Sequence, residues 1–195
     1  MKHFRLAAAA VLVVVVLSGC GIARSLTTRH YGFNYAIKSP PPLDSTVGTP
    51  ADMPFVVASY AVIADDLVSK FDKYHGGVDW AGLNYTATLS RGEAATVKFL
   101  VSLTAPTGSV GQYVVPADAV QLEDFTLTTA APQLVVTEPS TAPNAALVTF
   151  MNTMLRNNNG GAITVYLYFK ISSPSGGHLA LTGISIKGIA HGSLF

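Results

Sequence analysis

Leu83-Asn84-Tyr85-Thr86-Ala87-Thr88-Leu89-Ser90-Arg91-Gly92-Glu93-Ala94-Ala95-Thr96-Val97-Lys98-Phe99-Leu100-Val101-Ser102-Leu103 is the stretch whose reading decides the fold. Leu83, Tyr85, Ala87 and Leu89 alternate with Asn84, Thr86, Thr88 and Ser90. Beyond Arg91-Gly92, Val97, Phe99, Val101 and Leu103 alternate with Thr96, Lys98, Leu100 and Ser102. A period of two with one apolar and one largely polar face marks strands of an antiparallel sheet covered on one side. The short Gly-containing break between the runs predicts a hairpin.

The same pattern extends outward in both directions. Ile163, Val165, Leu167, Phe169 and Ile171 alternate with Thr164, Tyr166, Tyr168 and Lys170. A turn at Pro174-Ser175-Gly176-Gly177 then leads to Leu179 and Leu181, and the phase slips at Gly183 before Ile184 and Ile186, which predicts a bulge. Upstream, Tyr31, Phe33, Tyr35 and Ile37 form one face of a further strand. Val120-Gln121-Leu122 and Phe125-Thr126-Leu127 are out of phase by one residue, which a second bulge would repair, and Leu134-Val135-Val136 is a short strand.

Two segments have helical period. From Asp52 to Gly76, Met53, Val56, Tyr60, Ile63, Leu67, Phe71 and Tyr74 make a stripe between an Asp N-cap and a Gly-Gly exit. A Val-rich buried strand over Phe55–Ile63 is the competing reading, and the caps favour the helix. From Asn144 to Asn157, Leu147, Phe150, Met151, Met154 and Leu155 form the second stripe, ended by Gly160-Gly161. Helix, Gly-Gly, strand, turn, strand thus occurs twice, over 52–104 and 143–190. The expected class is α+β: a mostly antiparallel sheet or sandwich of about six to eight strands with two amphipathic helices.

The first twenty residues are of another kind. Lys2 and Arg5 precede an uncharged run of twelve residues, Leu6 to Leu17, with small residues after it, as in a secretory signal. A membrane-spanning helix needs about 20 residues, so a cleaved segment is expected here. Leu17-Ser18-Gly19-Cys20 resembles the lipobox of bacterial lipoproteins. The resemblance implies cleavage between Gly19 and Cys20 and lipidation of Cys20, the sole cysteine in the chain. It implies attachment to a membrane through that lipid, and it says nothing of the fold beyond residue 20. Gly21, where an Asp would resemble an inner-membrane retention signal, favours the outer membrane, periplasmic face or cell surface, in a host with two membranes.

The domains read accordingly: a signal at 1–19, the lipidated Cys20 with a tether to 29, and a single domain at 30–195 with a Pro-rich spacer at 39–50. Removing 1–19 leaves ten Lys and Arg against eleven Asp and Glu. That balance offers no charge excess for nucleic acid or an anionic bilayer. With Cys20 committed to lipid, the domain holds no disulfide and its stability rests on its core.

Chemistry-bearing motifs are absent from the sequence. His30, His75, His178 and His191 are scattered, and neither H-E-x-x-H nor C-x-x-C occurs. Asp65, Asp66, Asp72 and Asp79 fit no calcium loop, whose ligands fall at alternate positions and end in Glu. No G-x-S-x-G elbow occurs. No cofactor, no metal site and no catalytic residue are expected. The expected role is a non-catalytic binding or assembly function in the cell envelope, with an envelope protein as partner. A soluble-ligand or glycan binder is the first alternative and a hydrolase with an unrecognised site the second. Tyr166 and Tyr168, large aromatics on a nominally polar face, are the candidate binding surface unless another element covers them. Trp80 either anchors a partner or plugs the base of the first strand pair.

Overall fold

The alternation at 83–103 becomes two strands, but they do not pair with each other. The computed structural model describes residues 28–38, 55–71, 76–91, 94–137, 142–158, 160–173 and 178–192. The elements are β1 (Arg29–Ala36), β2 (Phe55–Ile63), α1 (Asp65–Lys70), β3 (Gly77–Arg91), β4 (Ala94–Ser102), β5 (Val120–Thr128), β6 (Gln133–Val136), α2 (Ala145–Asn157), β7 (Ile163–Ser172) and β8 (His178–Gly192). One sheet has the order β1-β8-β3-β6 and the other β2-β7-β4-β5, all antiparallel. β1 pairs with β8, β2 with β7, β3 with β6 and β4 with β5. This is the winding of a double-sheet jelly roll.

The hairpin expected at Arg91-Gly92 is therefore corrected, and the turn expected at 174–177 does not return the chain beside its own strand either. β3 and β4 lie in opposite sheets, as do β7 and β8, and the chain crosses the sandwich at each break. The strands on either side of the two breaks keep one common register. Ala87 faces Leu181 in one sheet, and Val97 faces Ile171 in the other. Ten residues on in one ribbon correspond to ten residues back in its partner, so the register survives the corner. Alternation is identical for a strand that turns back beside its neighbour and one that folds over onto the facing sheet, because both send Leu89 and Ala95 into the core.

The helix expected over Asp52–Gly76 is also corrected. Phe55–Ile63 is β2, and only Asp65–Lys70 is helical. Asp52 and Asp72–His75 lie outside the described residues. The strand wins because Val57, Ala61 and Ile63 enter the core while Val56, on the other face, is buried too. A β-branched run buried on both sides gains more as an extended strand than as a helix with one apolar stripe. Gly77, expected to end a helix, instead opens β3 opposite His191.

Other strand and bulge readings agree with the structure, but the repeated order of helix, Gly-Gly, strand, turn and strand over 52–104 and 143–190 does not, because Phe55–Ile63 is a strand. The strand face at residues 31–37 points inward through Phe33 and Ile37. The bulge in β5 falls between Gln121 and Glu123, and the one in β8 lies at Gly183, which has φ 65°. A second special glycine is Gly188, where an added Cβ would strike both the Phe33 ring and the Trp80 carbonyl oxygen. α2 buries Leu147, Met151, Met154 and Leu155 as its stripe predicts. The molecule is a β-sandwich with eight named strands, and its helices are few and short: they cap one end and do not form a layer.

Two side chains fix α2 in place. The Asn144 carboxamide oxygen accepts from the Leu147 amide (3.0 Å), capping the helix, while its Nδ2 donates to the Leu122 carbonyl (3.1 Å). Asn152 donates to the Val78 carbonyl (3.1 Å) and accepts from the Val78 amide (2.8 Å), extending the hydrogen bonding of β3 onto the helix. Between the sheets, Phe99 meets Tyr85, Phe125 and Phe169 at centroid distances of 4.8, 5.6 and 5.1 Å, all edge-on. Such pairs contribute about 0.5–1.5 kcal/mol each beyond area burial.

Strand directions give the sandwich two distinct ends. β1 begins, β3 begins, β8 ends, β4 ends and β5 begins at the same end, together with α1 and α2. The crossings at 91–94 and 172–178 and the β5–β6 turn lie at the opposite end.

Candidate functional site

Tyr166 and Tyr168 lie on the outer face of the second sheet. Tyr168 stands between Ala58 and Leu100, and Tyr166 between Tyr60 and Ser102. The β4–β5 connection, residues 103–119, folds back over this face. Val56 donates to the Gly111 carbonyl (3.2 Å), and Phe55 packs against Gly111. Asp118 ties the base of the connection, accepting from Ser102 Oγ (2.9 Å) and Thr104 Oγ1 (3.2 Å). The Tyr168 hydroxyl donates to the Thr104 carbonyl (2.7 Å), and its side chain has no exposure. Burial, with the Asp118 charge adding to it, pushes this phenol up to about 12. Tyr168 thus anchors a covering loop and offers no ring to a ligand. Tyr166 is half-buried, and its neighbour Tyr60 is 40% exposed.

Trp80 lies on the outer face of the first sheet, opposite Ile189, and is half-buried. The chain bulges at Asp79 just before it. That bulge creates a cluster the sequence did not announce. His191 Nδ1 lies 2.5 Å from one Asp79 carboxylate oxygen, and His30 Nδ1 lies 3.1 Å from the other. One carboxylate thereby clasps β1, β3 and β8 at the start of β1. Lys70 sits 5.1 Å from the centroid of the Tyr31 ring and adds a cation–π contact from α1 to β1. Among the described residues no group of three or more His, Cys, Asp or Glu is placed to hold a metal ion.

Among the described residues, the remaining groups with displaced protonation are Tyr35 and Tyr85. Burial first, then the Asp66 charge, raises Tyr35. Burial first, then the charge and hydrogen bond of Glu123, raises Tyr85. Both pack against or within the core.

One exposed apolar feature lies at the helix-capped end. Leu103, Val120, Ala146 and Phe150, with Thr149 and Asp118, line an open groove of about 530 Å³ between α2 and the ends of β4 and β5. Leu103, read as a core position of its strand, falls one residue past Ser102 and is 45% exposed. Phe150, read as part of the helix stripe, sits at the stripe's border and is half-buried. Three separate segments build the groove, so no single stretch signalled it. A second recess, of about 410 Å³, separates α1 from the end of α2. Cys20 and Gly19 lie outside the described residues. No described helix is long and apolar enough to cross a membrane.

No family model matches the chain, and no curated protein matches it. Among solved structures it is similar to that of infectious bursal disease virus Gx strain, at 10% identity over 85% of this chain, with a TM-score of 0.26. It is similar to the infectious bursal disease virus VP2 subviral particle at 10% identity over 86% of this chain, with a TM-score of 0.21. The chain spans 30% and 37% of the lengths of those two proteins. At TM-scores this low the likenesses bear on neither fold nor function.

Proposed function

We propose that the protein is a cell-envelope lipoprotein, anchored through lipid on Cys20, whose sandwich domain has a non-catalytic binding or assembly role. The observation that carries this reading is Leu17-Ser18-Gly19-Cys20 after a twelve-residue apolar run, with the first strand opening only nine residues later at Arg29. One further observation supports it. Among the described residues, the groups whose protonation is displaced are tyrosines engaged in packing, and none of them lines either groove. A ligand reading that relies on both tyrosines has less support, since Tyr168 is enclosed.

Cross-linking in intact cells, with a Cys20→Ala control and mass identification of what is captured, tests the role. A discrete envelope protein captured by the anchored form and lost in the control is the expected result. A partner that survives the control would place recognition in the domain alone. No partner in either form would remove the assembly role.

A further inference from the structure

We propose that the helix-capped end of the domain rests on the bilayer surface, with Leu103, Val120 and Phe150 of the groove entering the acyl boundary. This inference rests on the lipid anchor at Cys20. Eight residue steps separate Cys20 from Thr28, the first described residue. Eight steps of any chain reach at most roughly 26–29 Å. β1 starts at the helix-capped end, so that end is held close to the membrane while the crossings at 91–94 and 172–178 face away. The 15 residues of β3 set the two ends apart by up to about 50 Å.

The held end is where the groove opens. Leu103 and Val120 are 45% and 36% exposed there, beside the half-buried Phe150. Water gains nothing from these side chains, whereas the acyl boundary accepts them at about 25 cal/mol per Å² of apolar surface removed. Among the described residues, charges at this end are mixed: Asp65, Asp66, Asp79 and Asp118 are interspersed with Arg29, Lys70 and Arg156, so the contact is apolar and does not require anionic lipid. The occupant is therefore the bilayer to which Cys20 is attached. Docking fixes the orientation of a domain that attachment at a single point would leave free to rotate.

The test uses the full lipidated chain in phosphatidylcholine vesicles, with a polarity-sensitive fluorophore on Val120→Cys or, as the control, on Val135→Cys. Val135 is 59% exposed on the outer face of the first sheet, away from the groove. The lipid on Cys20 leaves no other reactive thiol. Nitroxide-bearing lipids should quench the probe at 120 at least twofold more than the probe at 135, and Phe150→Asp should reduce that difference. Equal quenching at both positions, in protein that co-floats with the vesicles, would overturn docking and leave the anchor intact. Protein that fails to float, or lacks acyl mass on Cys20, would overturn the anchor itself. A blue shift at 120 that appears without lipid and grows with protein concentration would assign the groove to a second copy of the chain and refute the bilayer contact.

Discussion

Tyr168→Phe separates the two things this phenol does for the fold. The substitution deletes the hydrogen bond to the Thr104 carbonyl and keeps the ring that packs beneath the 103–119 connection. At pH 8 the loss should be about 1–2 kcal/mol, a buried hydrogen bond plus part of the cost of a carbonyl left without its donor. The alkaline side carries the opposite sign. An unfolded tyrosine ionises near 10, whereas the folded one keeps its proton to about 12. Above pH 10 the unfolded state therefore loses protons first and gains on the folded state. Tyr168's contribution is full below pH 10 and falls by about 1.4 kcal/mol per pH unit until pH 12. Phenylalanine has no such term, and the other tyrosines cancel in the comparison. Urea unfolding at pH 8, 10 and 11, in chains carrying Cys20→Ala, should show a gap of about 1–2 kcal/mol that shrinks towards zero by pH 11. A gap unchanged from pH 8 to pH 11 would refute the reasoning, because it would mean that folding does not hold the phenol protonated.

Asn152→Ala removes both side-chain bonds to Val78 and should cost about 2–4 kcal/mol in urea unfolding, with near-native circular dichroism before the transition. Asn144→Ala removes the α2 cap and the bond to Leu122, for a loss of about 1–2 kcal/mol; Asn144→Asp, which keeps the cap acceptor, should recover part of it. Gly188→Ala drives a methyl into the Phe33 ring and the Trp80 carbonyl and should lower stability by about 1–3 kcal/mol or more. Phe33→Leu in the same chain should relieve only the ring contact, because the backbone carbonyl stays.

Strand positions were legible where one face alone is covered. In β3 and β4 the inward residues Leu83 and Val97 alternate with polar neighbours, so a period of two survives in the sequence. α2 was legible because its stripe and its cap residue agree. β2 was not, since the 103–119 connection buries Val56 on the outer side and erases the alternation. The sheet to which each strand belongs was hidden for a different reason. A break such as 92–93 suits a return turn and a crossing equally well, and the choice is made by β8 and β7, about 80 residues further along the chain. The Asp79 clasp and the groove share that non-local origin. His30 and His191 lie at opposite ends of the domain sequence and meet only because β1 and β8 are neighbours. Leu103, Val120 and Phe150 each have a bland local reading, and only the closed sandwich leaves them together at one end.

The intact mass and N-terminal residue of the protein extracted from cell membranes test the account at its centre. The expected result is a chain beginning at Cys20 that carries the added mass of several acyl chains, with Cys20→Ala lacking that mass and recovered in the soluble fraction. A native chain with an unmodified cysteine, or one beginning elsewhere, would contradict the anchor and with it the orientation of the domain at the membrane.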